Sequence, residues 1–369
     1  MQKIISLLGL FSIICTTAAA QEKKDSAQPK VIFKGLFQAQ YIFSLQKNVD
    51  VNGLQHTDGK GVYNTFDVHR ARVQFAAAIS DRTDVAFNLN LADFKGDPKN
   101  KVLENAYLTY RLNSYIHIKV GQFRPAFGLE NTYPIDIIKS FDYSNQYNAF
   151  GNNGWQSFQV GLSVFGDLKT AIPVKYELTV LNGNGKNQPT DDDNGKQACL
   201  RFDLSPSKNF KLGINGGYGK HNGENVYAEG LDASLTVPLQ KKLSLETEAE
   251  YKQGNNQFLY FNTLPAMRTG GIDKYMMRGF YILPDLRYAI AYHRLSSIEL
   301  SCRYEYFDED FKNANNPRQT LTPMLSLEFL KAYNARIQIG IVADIYRKNI
   351  PATTQYTGQL FILQVQTRL

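Results

Sequence analysis

From Val31 to Leu369 apolar and polar residues alternate with a period of two, and no other feature constrains the fold as tightly. The stretch FQVGLSVFG, residues 158–166, shows it plainly: Phe158, Val160, Leu162 and Val164 are apolar, while Gln159, Gly161 and Ser163 are not. Phe33, Phe37, Tyr41 and Phe43 alternate with Lys34, Gln38, Gln40 and Ser44 in the same way. Ala71, Val73 and Phe75 interleave with Arg70, Arg72 and Gln74, and Leu243 and Leu245 with Glu246, Glu248 and Glu250. No long segment carries the 3.6-residue period of an amphipathic helix. Strands of this kind have two unlike faces. In a soluble sandwich the apolar face meets a core; in a membrane barrel it meets lipid and the polar face meets a lumen.

The connections decide between the two. Long segments at about 46–61, 93–101, 125–154, 183–196, 219–225, 253–272, 308–318 and 347–357 alternate with short ones, such as Ser80-Asp81-Arg82 and Leu112-Asn113-Ser114. Eight long and seven short connections predict about 16 strands with both ends of the chain on the short-turn side, the pattern of an outer-membrane barrel. Phe361, Leu363, Val365, Thr367 and Leu369 carry the alternation to the last residue, as expected of a strand that closes a barrel on the first one. Pro284 falls inside a strand and predicts a bulge or a frayed edge there.

The beginning of the chain has Lys3, an apolar run from Ile4 to Ile14 and Ala18-Ala19-Ala20, which predicts a signal peptide over residues 1–20. Residues 21–30 read as a polar lead-in, and 31–369 as one barrel domain. The run is too short to span a bilayer as a helix, and Ile14 before Cys15 does not suit a lipid-attachment box. Mean hydropathy of −0.34 does not argue for a soluble protein, because barrel strands show lipid only every second residue. The 22 tyrosines and 23 phenylalanines of the chain suit aromatic girdles at two membrane interfaces. A formal net charge of +7 without basic runs excludes a nucleic-acid footprint. Strand parity points Cys199 inward and Cys302 outward, so the two remain free thiols.

Several stretches carry a resemblance. They are His69-Arg70-Ala71-Arg72, Val120-Gly121-Gln122-Phe123-Arg124-Pro125 with Phe127-Gly128-Leu129-Glu130, Leu181-Asn182-Gly183-Asn184-Gly185 with Asp192-Asp193-Asn194, and Arg303-Tyr304-Glu305-Tyr306-Phe307-Asp308. In these pieces the chain resembles the phosphate-selective porin O and P family of outer-membrane proteins. The resemblance implies a homotrimer of 16-stranded barrels in the outer membrane of a Gram-negative bacterium, with passive diffusion of small hydrophilic solutes, often anions. It does not fix phosphate as the solute, and it implies no cofactor and no enzymatic activity.

The residues themselves support a pore. Inward parity collects Arg70, Arg72, Lys119, Arg201 and Arg303 on the wall, with Arg124 entering the longest loop, and these are the candidate anion path. Glu246, Glu248, Glu250, Glu299 and Glu305 share that wall, so any anion preference is expected to be weak. A barrel of this width is not filled by wall side chains, so inward charges imply water. The third outer loop, residues 125–154, is long enough to be functional and is expected to fold inward as a constriction carrying Glu130, Tyr133, Asp136, Lys139 and Asp142. The alternative is an outward loop packed on neighbouring subunits.

Other chemistry is thin. Gly183-Asn184-Gly185-Lys186 lacks the glycine and hydroxyl of a phosphate loop, and an EF-hand counted from Asp191 meets Phe202 where Glu is needed. His56, His69, His117, His221 and His293 form no metal pattern, and parity points His69 outward. A plugged structural or adhesive barrel is the competing class; a barrel enzyme would need a Ser-His pair that the sequence does not present.

Overall fold

The computed structural model describes residues 30–95, 102–188, 190–191, 193–313, 316–330 and 334–369. The expected signal peptide, nearly all of the lead-in, Asp192 and residues 331–333 of the last short turn lie outside the described residues. Among the described residues sixteen strands run in chain order. The first eight are β1 (Lys30–Ser44), β2 (Asn64–Ser80), β3 (Thr83–Asn90), β4 (Leu103–Arg111), β5 (His117–Phe123), β6 (Gln159–Leu168), β7 (Val174–Leu181) and β8 (Gln197–Ser207). The second eight are β9 (Phe210–His221), β10 (Glu224–Gln240), β11 (Leu243–Asn255), β12 (Met276–Tyr292), β13 (Leu295–Asp308), β14 (Arg318–Phe329), β15 (Ala335–Tyr346) and β16 (Gly358–Arg368).

They form one closed antiparallel barrel in which β1 meets β16, from Leu36↔Arg368 to Ser44↔Leu360. Closure leaves no strand edge unpaired, which is what a bilayer demands of a sheet. Inside the seam the glutamines form rungs: Gln38 Nε2 donates to Gln366 Oε1 and Gln40 Nε2 to Gln364 Oε1, both at 2.6 Å. Gln364 Nε2 continues the row to Gln338 Oε1 at 2.8 Å.

The two faces separate as the alternation predicts. Val160 and Leu162 are exposed on the outside, whereas Gln159 and Ser163 are fully buried within. Phe158 precedes the strand, and its ring lies 5.2 Å from the Arg124 guanidinium. Exposed Tyr218 and Tyr227 stand near one end of the barrel, Tyr288 and Tyr292 near the other, in the places of two aromatic girdles. Cys199 is buried inside, Cys302 is half-buried, and both are free.

Three expectations need correction. The connection expected to be long at 219–225 is a two-residue turn, Asn222-Gly223, with φ of 49° and 87°. Both positions are left-handed, as a hairpin turn matched to strand twist requires, and Asn-Gly is the pair that tolerates it best. His69 does not point outward: Phe66 and Val68 are exposed, but from Arg70 onward the even positions turn inward, so the phase slips between His69 and Arg70. At this slip the Ala71 N–H bonds the Asn90 side chain at 3.2 Å. Pro284 makes no bulge; the β12–β13 register resumes unshifted from Ile282↔Tyr304 to Asp285↔Ser301, with the rungs of Leu283 and Pro284 omitted. Bulges instead accompany Pro206 and Pro238 near strand ends.

Candidate functional site

The segment between β5 and β6, residues 124–158, meets inward side chains over much of the barrel. Asp142 accepts a hydrogen bond from Arg70 Nη2 at 2.6 Å, and His69 Nε2 lies 3.1 Å away. Burial works against a charged Asp142, but Arg70 and then His69 outweigh it and hold the carboxyl well below the ordinary range. Asp136 pairs with Arg368 Nε at 2.7 Å, and its carbonyl accepts from Gln366 at 2.8 Å. Lys139 pairs with Glu246 and lies 3.7 Å from Asp285. Arg303 donates to the Asp142 carbonyl at 2.7 Å and pairs with Glu305. Arg336 donates to the Ile138 carbonyl at 2.9 Å, and Glu305 accepts from the Asn145 N–H at 2.6 Å.

Glu130 is buried at the root of the segment, where it accepts from the Ser144 N–H at 2.9 Å. Burial pushes its carboxyl up, Arg303 at 3.8 Å opposes this, and Glu250 adds to it, leaving it well above the ordinary value. Tyr133 approaches Ser234 and Glu248 of the wall; burial, followed by Glu248, raises its phenol. Arg124 stays within the segment and donates to the hydroxyls of Tyr143 and Tyr147 at 2.8 and 2.7 Å. Those two rings stack at 3.9 Å.

The six candidate bases therefore sit in unlike surroundings. Arg70 and Arg72 share the inner face of β2, but Arg70 turns to Asp142 while Arg72 bonds Glu104 at 2.6 Å. Arg201 is buried against Asp232 and Asp203, each at 2.6 Å. Lys119 pairs with Glu177 at 3.0 Å beneath the rings of Phe123 and Phe165. The segment's hydrogen bonds reach β2, β6, β8 and β11–β16, and two gaps remain beside it. One of about 120 Å³ is lined by Lys34, Arg72, Asn88 and Arg368 opposite Pro134 and Asp136. The other, about 360 Å³, is lined by Lys119, Arg124, Glu177 and Asp203 with Asn131 and Thr132.

Sequence reasoning missed an apolar cluster within the barrel. Phe127, Phe150 and Trp155 pack on Val226, Tyr260, Tyr275 and Met277, so the loop after β11 contributes as much as the loop after β5. Its signal in the sequence is Gly217 on an inward position of β9, where a Cβ would overlap the ring of Trp155. Gly217→Ala is expected to cost about 1–3 kcal/mol by overpacking and to shift the emission of this one tryptophan. Unchanged emission and unchanged melting would mean that the ring is not held there.

Comparison with known proteins adds independent findings. No curated protein matches the chain. Among solved structures, the outer-membrane channel DcaP of Acinetobacter baumannii aligns with a TM-score of 0.59 at 13% identity, covering 94% of this chain and 99% of that one. OmpT of Vibrio cholerae in its trimer form aligns at 0.58 and 11%, covering 92% and 99%. An anion-selective porin from Comamonas acidovorans aligns at 0.57 and 8%, again over 92% and 99%. At these identities the likeness is one of fold. Residues 43–259 match the family described as phosphate-selective porin O and P, which is more than half of the chain. A closed barrel with a charged inner wall and a matching family profile lead to one conclusion: the chain belongs to the phosphate-selective porin O and P family, the porins of the Gram-negative outer membrane.

Proposed function

We propose that this porin passes small hydrophilic solutes by diffusion with a weak preference for anions, and that residues 124–158 set its narrowest section. The observation that carries this reading is the gap beside Pro134 and Asp136. Three bases, Lys34, Arg72 and Arg368, line it; Arg72 pairs with Glu104 and Arg368 with Asp136, which leaves an excess of one base. In a narrow wet passage the effective dielectric is below that of bulk water, so such an excess acts more strongly than on an open surface. The paired charges elsewhere on the wall keep the preference weak, and rising ionic strength weakens it further. Inorganic phosphate is one anion that such guanidinium groups suit. We also propose that the chain works as a homotrimer with its apolar outer face in outer-membrane lipid; the trimer form of OmpT with the same fold supports this.

Arg72→Glu tests the reading by planar-bilayer reversal potential. The potential is expected to move toward cations, and further in the double variant Arg70→Glu with Arg72→Glu, which also removes the arginine partner of Asp142 and leaves it His69. An unchanged potential in both would show that the arginines only pair with carboxylates and lie outside the solute path.

A further inference from the structure

The two arms of the segment between β5 and β6 meet on one buried ion pair. The β5–β6 ladder ends at Phe123↔Gln159, and beyond it both arms reach β11, five strands along the closed sheet from β6. On β11, Lys252 Nζ lies 3.3 Å from Glu250 Oε1, and both side chains are fully buried. Glu250 holds the outgoing arm: its Oε1 accepts from the Leu129 N–H at 2.8 Å. Lys252 holds the returning arm: its Nζ donates to Gln156 Oε1 at 2.7 Å. Gln156 Nε2 then donates to the Phe127 carbonyl, 29 residues earlier, at 2.9 Å and joins the arms to each other.

Gly128 shows how closely the backbone is pressed on this pair. Its φ is 84°, and a Cβ there would overlap Glu250 Oε1 and lie 3.1 Å from Lys252 Nζ. The ammonium also stands 5.5 Å from the centre of the Phe150 ring, within the segment itself. Charges buried this deeply are costly, and well-packed apolar residues of similar size often stabilise a fold as much or more. Packing alone therefore does not account for them. What the pair adds is directed bonding: an ammonium has three donors and a carboxylate two acceptor oxygens. The two groups can bind each other and still hold a backbone N–H on one arm and an amide on the other.

We propose that Lys252 is a positioning residue for permeation: through Gln156 it ties the returning arm to the outgoing one, so that the narrow section keeps a single width. The proposal rests on the reading of residues 124–158 as that narrowest section. The test is single-channel recording of Lys252→Met and of the double variant Glu250→Gln with Lys252→Met, each checked for fold by heat-modifiable migration. Lys252→Met leaves the Glu250 carboxylate buried without its ammonium partner, so it loses stability together with the tie. The double variant removes both charges and keeps an amide oxygen for the Leu129 N–H, so stability returns while Gln156 stays untied. Current noise at constant voltage is expected to rise severalfold in both variants and to fall back when Ile135 to Tyr147 are also deleted. Should Lys252→Met fail to fold, the double variant decides. A quiet double variant would overturn the proposal, because the lysine would then serve only to neutralise Glu250. Noise that survives the deletion would also overturn it, since its source would lie outside the segment. A deletion that leaves conductance unchanged contradicts the reading of the segment itself, and the role of Lys252 falls with it. Raised conductance in the deletion beside steady current in the double variant contradicts the role of Lys252 alone.

Discussion

Deletion of Ile135 to Tyr147 is expected to raise single-channel conductance severalfold while the barrel stays folded. The segment removed supplies no rung of the sheet: every strand pairs with its neighbours along the chain and β1 with β16. What it does supply is a set of fastenings to inward groups, Asp142 to Arg70, Asp136 to Arg368, and the Ile138 and Asp142 carbonyls to Arg336 and Arg303. Without it those guanidinium groups face a wider water-filled lumen, and water replaces the lost acceptors at modest cost. Heat-modifiable migration reports the fold and planar-bilayer recording reports the conductance. A well-folded deletion with the conductance of the intact chain would place the segment outside the path.

The second large effect concerns the outer face. Leu200 is exposed at mid-strand in β8, opposite Leu178 and Gly216 of its neighbours. Leu200→Arg puts a guanidinium into hydrocarbon and is expected to cost about 2–4 kcal/mol and to impair assembly. Leu89→Arg should behave alike, though Leu89 is less exposed. The inward control matters. Asn90, which parity offers as a tolerant lumen position, is buried; its Oδ1 accepts from Ala71 N and its Nδ2 donates to Asp93 at 2.6 Å. Gln74, on the lining of the smaller gap, is the better place, and Gln74→Arg is expected to assemble normally. A refolding assay in which Gln74→Arg fails and Leu200→Arg succeeds would reverse the assignment of the two faces.

Strand phase was legible because each strand repeats its signal many times, and one odd residue does not erase it. That is why Val160 and Gln159 took their faces correctly. His69 did not, since a single slip between adjacent residues leaves no mark in a pattern read before and after it. The Asn222-Gly223 turn had a clear local signature, but the rhythm of long and short connections argued against it. The partners of the loop were beyond sequence reasoning for a different reason. Asp142 lies 72 residues from Arg70 and the Asp136 carbonyl 230 from Gln366, so closure of the barrel, not local pattern, brings them together. The inner aromatic cluster was hidden in the count of Tyr and Phe: girdles explain Tyr218 and Tyr288, whereas Phe127, Phe150 and Tyr260 serve the interior.

In the proposed state the barrel is an open passage that the loop narrows and that bases bias toward anions. Single-channel recording of the intact protein in planar bilayers, under a gradient of potassium chloride, tests it most directly. The expected result is steady conductance proportional to voltage, with a small reversal potential on the chloride side that shrinks as salt is raised. Folded protein that gives no conductance would mean a plugged barrel, and a reversal potential on the potassium side would mean that the carboxylates, not Lys34, Arg72 and Arg368, govern the path.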